Sequence, residues 1–343
     1  MLNKGDEMER CKRISSKDVA REAGVSQATV SYVLNNVEGV KIKPETREAV
    51  LEAAKRLNYH PNLIAKSMRL KKAMSIGVVS DKSISSYMFM NVLEGVRDAL
   101  VSRNYTMTLC SNKSEDINNA EYIRYYSSNR IDGIIFVFTK LSEEQINYLI
   151  ENNIPYVVIH TNIRNEIPHT VNTNMDEAVY EAVKHLVDNY GNDLSYFGVN
   201  AGRMVNMRYV TYLKTLEELG LEFKEDKVLK FETNEEGSIE TLEEYYQKTL
   251  TLPRAILCDS AYLALNVLKF AAQKGIKVPE QTAVIGIGTT NFTSFSFPSL
   301  SAIEAPLAEM GYTGCDMLFD ILESKPVQDV VVLKWDYIQR GSS

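Results

Sequence analysis

Cysteine is scarce in this 343-residue chain, and the four present (Cys11, Cys110, Cys258 and Cys315) are scattered, with no C-x-x-C pair. That spacing excludes the common zinc frameworks and any disulfide scaffold, so a reducing compartment is expected. The four histidines lack H-x-x-x-H or comparable spacing, so neither a metal nor another cofactor is expected. No run of about 18 apolar residues exists to span a membrane. The opening MLNKGDEMERCKR is too polar for the apolar stretch of a secretory signal, which leads us to expect a cytoplasmic, nucleoid-associated protein. Enzyme signatures are missing as well. GIG at 286–288 lacks the third glycine of a dinucleotide loop, and neither G-x-x-x-x-G-K nor G-x-S-x-G occurs. No enzyme is expected.

What the chain does have is an uneven charge. Residues 1–72 hold 15 lysines and arginines against 9 aspartates and glutamates, a net of +6; the whole chain is −7, so residues 73–343 carry −13. A basic head on an acidic body suggests that the head meets a polyanion and the body does not. The length calls for two or three domains. The acidic LEELG and ETNEEGSIETLEEYY segments read as solvated helix faces and a loop.

The head carries a dense set of local signals. Ser15-Ser16-Lys17-Asp18 fits a capping box, with VAREA behind it as a first helix. Gly24 can take the left-handed conformation that stops that helix, and Ser26 is placed to cap the next one. The second helix, Gln27 to about Asn35, puts Val30, Val33 and Leu34 inward. A third follows Pro44-Glu45-Thr46, with Val50, Leu51, Ala54 and Leu57 expected in the core, until His60-Pro61-Asn62 breaks it. Two short helices joined by a glycine-containing turn form a helix-turn-helix, whose second helix is shaped for the major groove.

From Ser75 the pattern becomes alternating strands and helices. SIGVVS, TMTLCS, DGIIFVF and IPYVVIH are strands of a first half, and LSYFG, 227–232, RAILCD and TAVIGIG those of a second. Such alternation builds parallel sheets covered on both faces, and two halves imply two lobes with a cleft beyond the carboxyl ends of the strands.

DVAREAGVSQATVSYVLN, TREAVLEAAKRLNYHPN and LIAKSMRL, in this order and without gaps over 15–72, resemble the head and hinge of the lactose/galactose-repressor (LacI/GalR) family. IDGIIF, IPYVVI, CDSAYLALNVLKFAAQKGIKVP, AVIGIG and SAIEAPLAEMGYTGCDML are similar to its effector domain. The resemblance implies a small all-α helix-turn-helix domain (1–60), a hinge helix and linker (61–74), and a two-lobed, periplasmic-binding-protein-like α/β body (75–343). On the family pattern lobe one is expected at about 75–162 and 299–327, and lobe two at about 163–298 and 328–343, with three crossings between them.

The same resemblance assigns roles. Gln27, Ala28 and Tyr32 stand at base-reading positions, and Thr29 and Ser31 at positions that orient the helix on phosphates; Ser16, Ser26 and Asn35 are further candidate DNA contacts. Asn62, Ala65, Lys66, Met68 and Arg69 fall in a hinge helix entering the minor groove, where Met68 would wedge between base pairs. Glutamine suits adenine, whereas Tyr32, where many relatives place arginine, cannot make the bidentate bond to guanine. In the cleft, Arg208 and Asp259 match effector contacts, and Phe89 is a candidate ring platform. His160, Cys258, Gly288 and Thr289 stand where the family more often has other polar residues, mostly acids. With several acids absent and Arg208 and His160 both expected to face the cleft, a simple neutral sugar is less strongly implied and an anionic effector such as a sugar phosphate becomes easier to accommodate. The whole reading is a homodimeric repressor on a palindromic double-stranded operator, controlled by a carbohydrate-related effector. A body controlled by a protein partner, or by no ligand, is the alternative. No leucine heptad follows Arg340, so no tetramer of the lactose-repressor type is expected.

Overall fold

The computed structural model describes residues 14–34, 39–59, 72–111, 117–160, 167–199, 206–231, 235–288 and 290–343. The expected hinge helix, with Asn62, Ala65, Lys66, Met68 and Arg69, lies outside them, as do Asn35 and Thr289. The chain divides into two units, Met1–Ala73 and Met74–Ser343.

In the first unit three helices surround a small core: α1 (Ser16–Glu22), α2 (Gln27–Leu34) and α3 (Pro44–Arg56). The Asp18 carboxylate accepts from the Ser15 backbone N–H (3.0 Å) and hydroxyl (2.7 Å), which holds the start of α1. Gly24 takes φ +65°, and the Val25 N–H then reaches back to the Ala20 carbonyl at 3.0 Å, closing the helix end. Ser26 Oγ accepts from the Thr29 N–H at 3.0 Å and so caps α2. Val19, Val30, Val33 and Val50 are buried with Ala20, Ala53 and Ala54. Each valine contributes about 2 kcal/mol of apolar burial, so a few side chains hold this unit together. Leu51, expected in the core, is 49% exposed, and Ala53 takes the inward place. The helical period puts residues 50, 53, 54 and 57 on one face and turns 51 about 100° away.

The second unit holds two six-stranded sheets. The first contains β1 (Ser75–Ser80), β2 (Thr106–Cys110), β3 (Gly133–Val137), β4 (Tyr156–Ile159), β5 (Thr170–Asn174) and, far along the chain, β11 (Val330–Lys334). Its order is β11-β5-β4-β3-β1-β2, parallel throughout. The second contains β6 (Leu194–Val199), β7 (Val228–Phe231), β8 (Ala255–Cys258), β9 (Ala283–Ile287), β10 (Ser301–Glu304) and β12 (Asp336–Ile338). Its order is β12-β10-β9-β8-β6-β7, with only β12 antiparallel. The helices between them are α4 (Tyr87–Ser102), α5 (Glu121–Ser127), α6 (Glu143–Glu151), α7 (Asp176–Tyr190), α8 (Met207–Glu218), α9 (Glu235–Thr249), α10 (Ala261–Lys274) and α11 (Leu307–Leu322).

The two lobes exist, but their expected boundaries need correction. Thr170–Asn174 was assigned to lobe two and pairs instead with β4 and β11 in the first sheet. Residues 301–304, assigned to lobe one, extend the second sheet beside β9. Residues 330–334, assigned to lobe two, close the edge of the first. The chain passes between the sheets after β5, after β10 and at Trp335. TVNTN is mostly polar and carries no strand signal of its own; pairing on both sides makes it one.

In lobe one α11 lies directly on α4. A Cβ on Gly311 would meet the Val92 carbonyl oxygen at 2.0 Å, and one on Gly95 the Ala308 oxygen at 1.8 Å. The helices touch backbone to backbone, which only glycine permits. The segment arriving from the second sheet is thereby fixed to the helix behind β1.

Candidate functional site

On the head, α2 offers solvent a face without charge: Gln27, Ala28 and Tyr32 are exposed, and Thr29 and Ser31 half-buried. Cations lie on the neighbouring elements, with Lys17 and Arg21 on α1, and Lys41, Lys43, Lys55 and Arg56 on and beside α3, all exposed. Ser26 is occupied as a cap, its Oγ 2.9 Å from Thr29 Oγ1. Gln27 is held too: its Nε2 donates to Ser16 Oγ at 2.7 Å across the turn. Such a face can offer hydrogen bonds and a tyrosine ring to base edges, while nearby lysines and arginines offer charge to phosphates.

In the body, a cavity of about 330 Å³ opens between the lobes. Its walls come from the segments that join them: Thr173, Asn174 and Asp176 at the first crossing, and Trp335 at the third. The Trp335 N–H donates to the Asn174 carbonyl at 3.0 Å, tying two crossings together at the cavity floor. Asn206, Arg208 and Thr211 enter from the start of α8, and Asp259 from the end of β8. The Asn206 side chain caps α8 by accepting from the Arg208 and Tyr209 N–H groups at 3.1 and 3.3 Å, and its Nδ2 donates to Asp259 Oδ2 at 3.0 Å.

Charge in this cavity is compensated locally. Arg208 Nη1 donates to the Asp259 carbonyl at 2.5 Å and lies 3.9 Å from its carboxylate. Asp176 accepts from Lys214 at 2.9 Å and from the Thr211 hydroxyl at 3.3 Å. Below Asp259 the Tyr196 ring is fully buried, and burial, with the Asp259 charge second, pushes its hydroxyl well above the usual tyrosine range. Gly198 gives both room, since a Cβ there would meet Asp259 Cβ at 2.7 Å and Tyr196 Cε1 at 2.9 Å.

Of the residues singled out in the sequence, Arg208 and Asp259 meet here, and Gly288 lies beside them: a Cβ on it would be 3.7 Å from Arg208 Nη2. Phe89 does not; it is 2% exposed inside the lobe-one core, because the helix period turns it toward Val92 and Val96. Cys258 is completely buried in the lobe-two core, and burial, then the Asp259 charge, raises its thiol far above the ordinary range. His160 is not on the cavity wall. It packs edge-on to Phe138, its Nδ1 has no hydrogen-bond partner among the described residues, and burial, then Lys82, lowers its pKa.

Asp176, Thr173, Thr211 and Trp335 were missed. Asn206 was missed too, although an asparagine two residues before Arg208 is the kind of cap signal that could have found it. The only tryptophan of the chain was also a visible clue, but nothing local says that it reaches the cleft.

A helix-turn-helix unit joined to a two-lobed body with a polar cavity at its crossings defines a class of DNA-binding regulator with an effector domain. Residues 16–62 match the family described as bacterial regulatory proteins, lacI family, and residues 170–343 the periplasmic binding protein-like domain. Catabolite control protein A of Staphylococcus epidermidis is 30% identical over 318 residues, covering 92% of this chain and 94% of that protein. Among solved structures, the lac repressor dimer bound to operator and the anti-inducer ONPF aligns with TM-score 0.71 at 20% identity, covering 96% of this chain and 99% of that one. The complex of the transcriptional regulator CelR with cellobiose aligns with TM-score 0.63 at 22% identity, over 96% of this chain and all of that one. The chain belongs to the lacI family of bacterial regulatory proteins: transcriptional regulators with a DNA-binding helix-turn-helix and an effector-binding domain. No helix among the described residues is long and apolar enough to cross a membrane.

Proposed function

We propose that this regulator is a cytoplasmic repressor that binds a palindromic operator as a homodimer and is controlled by a neutral, hydroxyl-rich molecule of about monosaccharide size. The observation that carries the effector reading is the interlobe cavity, where two carboxylates, Asp176 and Asp259, share the walls with Arg208, Asn206, two threonines and one tryptophan. Carboxylates accept from paired hydroxyls, and an aromatic face suits the C–H side of a sugar ring. Asp176 adds a carboxylate that the sequence motifs did not point to, and Arg208 is already engaged by Asp259. Both features favour a neutral sugar over the sugar phosphate. A volume of about 330 Å³ is at the small end for ligand sites. The cellobiose in the CelR complex supports the same class.

Trp335 provides the test, because the sole tryptophan of the chain lines the cavity. Titrating the protein with neutral sugars and their phosphates is expected to change its fluorescence for a neutral sugar. The Arg208→Ala variant should bind that sugar about 30-fold or more weakly, as expected for a charge-assisted hydrogen bond. A response confined to phosphorylated sugars would overturn the neutral assignment. No response to either, in protein that still binds DNA, would favour a protein-controlled body.

The DNA reading rests on Gln27, Ala28 and Tyr32, presented by α2 in a unit whose other elements carry exposed cations, with Thr29, Ser31, Ser16, Ser26 and Asn35 as neighbouring contacts and the 62–69 segment as hinge. Dimerisation is supported by one loop of lobe two, where Phe292, Phe295 and Phe297 are 52%, 85% and 97% exposed. Covering rings of about 200 Å² each on two copies at that exposure removes on the order of 900 Å², a large part of the roughly 1,200 Å² at which specific interfaces begin. The lac repressor dimer supports a second copy as the occupant. Replacing Phe295 and Phe297 by serine should weaken self-association at least tenfold in sedimentation equilibrium; an unchanged dimer would place the interface elsewhere.

A further inference from the structure

The hydrogen bond from Gln27 Nε2 to Ser16 Oγ, 2.7 Å long, joins the first residues of α1 and α2 across the helix-turn-helix. Ser16 is a fixed post. It is half-buried at the first position of α1, whose start is held by the two bonds from Ser15 to Asp18 and by Arg21 on the same carboxylate at 3.0 Å. Gln27 is exposed, in the first position of the helix that faces DNA. A long side chain at such a place would otherwise rotate freely.

We infer that Ser16 is a specificity-determining residue that acts through Gln27, by fixing which edge of its amide meets a base; this rests on the proposal that α2 enters the major groove. A glutamine amide has two N–H donors and one acceptor oxygen. With one N–H on Ser16, the second N–H and Oε1 remain, in one defined orientation. Adenine offers the complement, an N7 acceptor beside an N6 donor. Guanine offers two acceptors, N7 and O6, so Oε1 would face O6 with no proton between them. An untethered amide escapes by turning over and sending its N–H₂ to guanine. A free serine hydroxyl could donate to Oε1 after that turn, but once Ser16 gives its proton to a phosphate its Oγ can only accept, and the bond then opposes the turn and makes Gln27 reject guanine. This also answers how a helix without arginine discriminates purines.

The experiment uses the full chain. Selection from a random duplex library gives the wild-type site, and the base pair whose preference disappears in Gln27→Ala is the one Gln27 reads. The ratio of adenine to guanine affinity at that pair is then measured by competition. Any phosphate contact made by Ser16 itself lowers both affinities alike and drops out of the ratio. The wild type is expected to favour adenine about tenfold or more, and Ser16→Ala to reduce this to within about threefold. Ser16→Thr, which keeps the oxygen, should retain the preference, and the equally shaped Ser16→Val should lose it, so a fold defect in one variant cannot mimic the effect. An unchanged ratio in Ser16→Ala and Ser16→Val, or no base pair altered by Gln27→Ala, overturns the inference while leaving DNA binding intact. Failure of the wild type to select any sequence overturns the DNA reading and the inference with it.

Discussion

The face of α2 and the interlobe cavity use charge in opposite ways. On the head, α2 carries no charge of its own, and exposed lysines and arginines stand on α1 and on and beside α3. At the cavity the charges of the wall are paired: Arg208 lies against Asp259, and Asp176 against Lys214. The first arrangement projects a field over distance; the second cancels the field and leaves short-range, directional hydrogen bonds. A polyanion is attracted by the first, and a small polar molecule is recognised by the second.

Salt should separate the two sites most strongly. Operator affinity is expected to fall on the order of a thousandfold between 50 and 200 mM salt, as for a protein that neutralises several phosphates. The affinity of the cavity for a neutral sugar should stay within about twofold over the same range, because its charges are paired and close. Parallel loss at both sites, measured by operator titration and by Trp335 fluorescence, would break the comparison.

A second contrast concerns two glycines. Gly311→Ala places a methyl group against the Val92 backbone oxygen and should cost the body about 3 kcal/mol, seen as a lower melting temperature. Gly24→Ala meets nothing within 4 Å and pays only for φ +65°, about 1 kcal/mol in the head. Equal effects would mean that α4 and α11 can separate at little cost.

The smallest expected effect is on pH dependence, and it falls on the body, which holds all three of the described histidines. Burial is the first cause that lowers His160, His169 and His185 below the ordinary value of 6.5. The folded state therefore binds fewer protons than the unfolded one. This contribution to stability is complete above pH 6.5 and declines as the pH falls below it. Thermal melts between pH 7.5 and 5.5 should show the body weakening on acidification, and His160→Phe should flatten the curve. A body more stable at the acidic end would reverse the sign.

How much of this was legible depended on distance along the chain. In the head, Ser15, Asp18, Gly24, Ser26 and Pro44 act on partners within a few residues, so caps, turn and helix order could be read directly. Leu51 was misplaced because an apolar residue adjacent to the buried stripe looks like part of it. In the body the alternation of strand and helix announced parallel sheets, but sheet membership did not follow chain order. TVNTN became a central strand by pairing with residues 156–159 and 330–334, and no local pattern carries that information.

The site divides in the same way. Arg208 and Asp259 were legible from the motifs around them, and Gln27 from its place after a capped turn. Phe89 and Cys258 occupy plausible positions in sequence, yet the first is turned into one core and the second buried at the end of a strand in the other. Asp176 and Trp335 reach one cavity across more than 150 residues of chain, because two crossings run side by side and share a backbone hydrogen bond. By itself the sequence determined what depends on neighbours: the capped helices, the glycine turn, the basic head and acidic body, and the strand–helix alternation. Tertiary structure decided which strands share a sheet, where the lobes divide and which side chains line the cavity, because backbone pairing and burial join residues that have no local reason to meet.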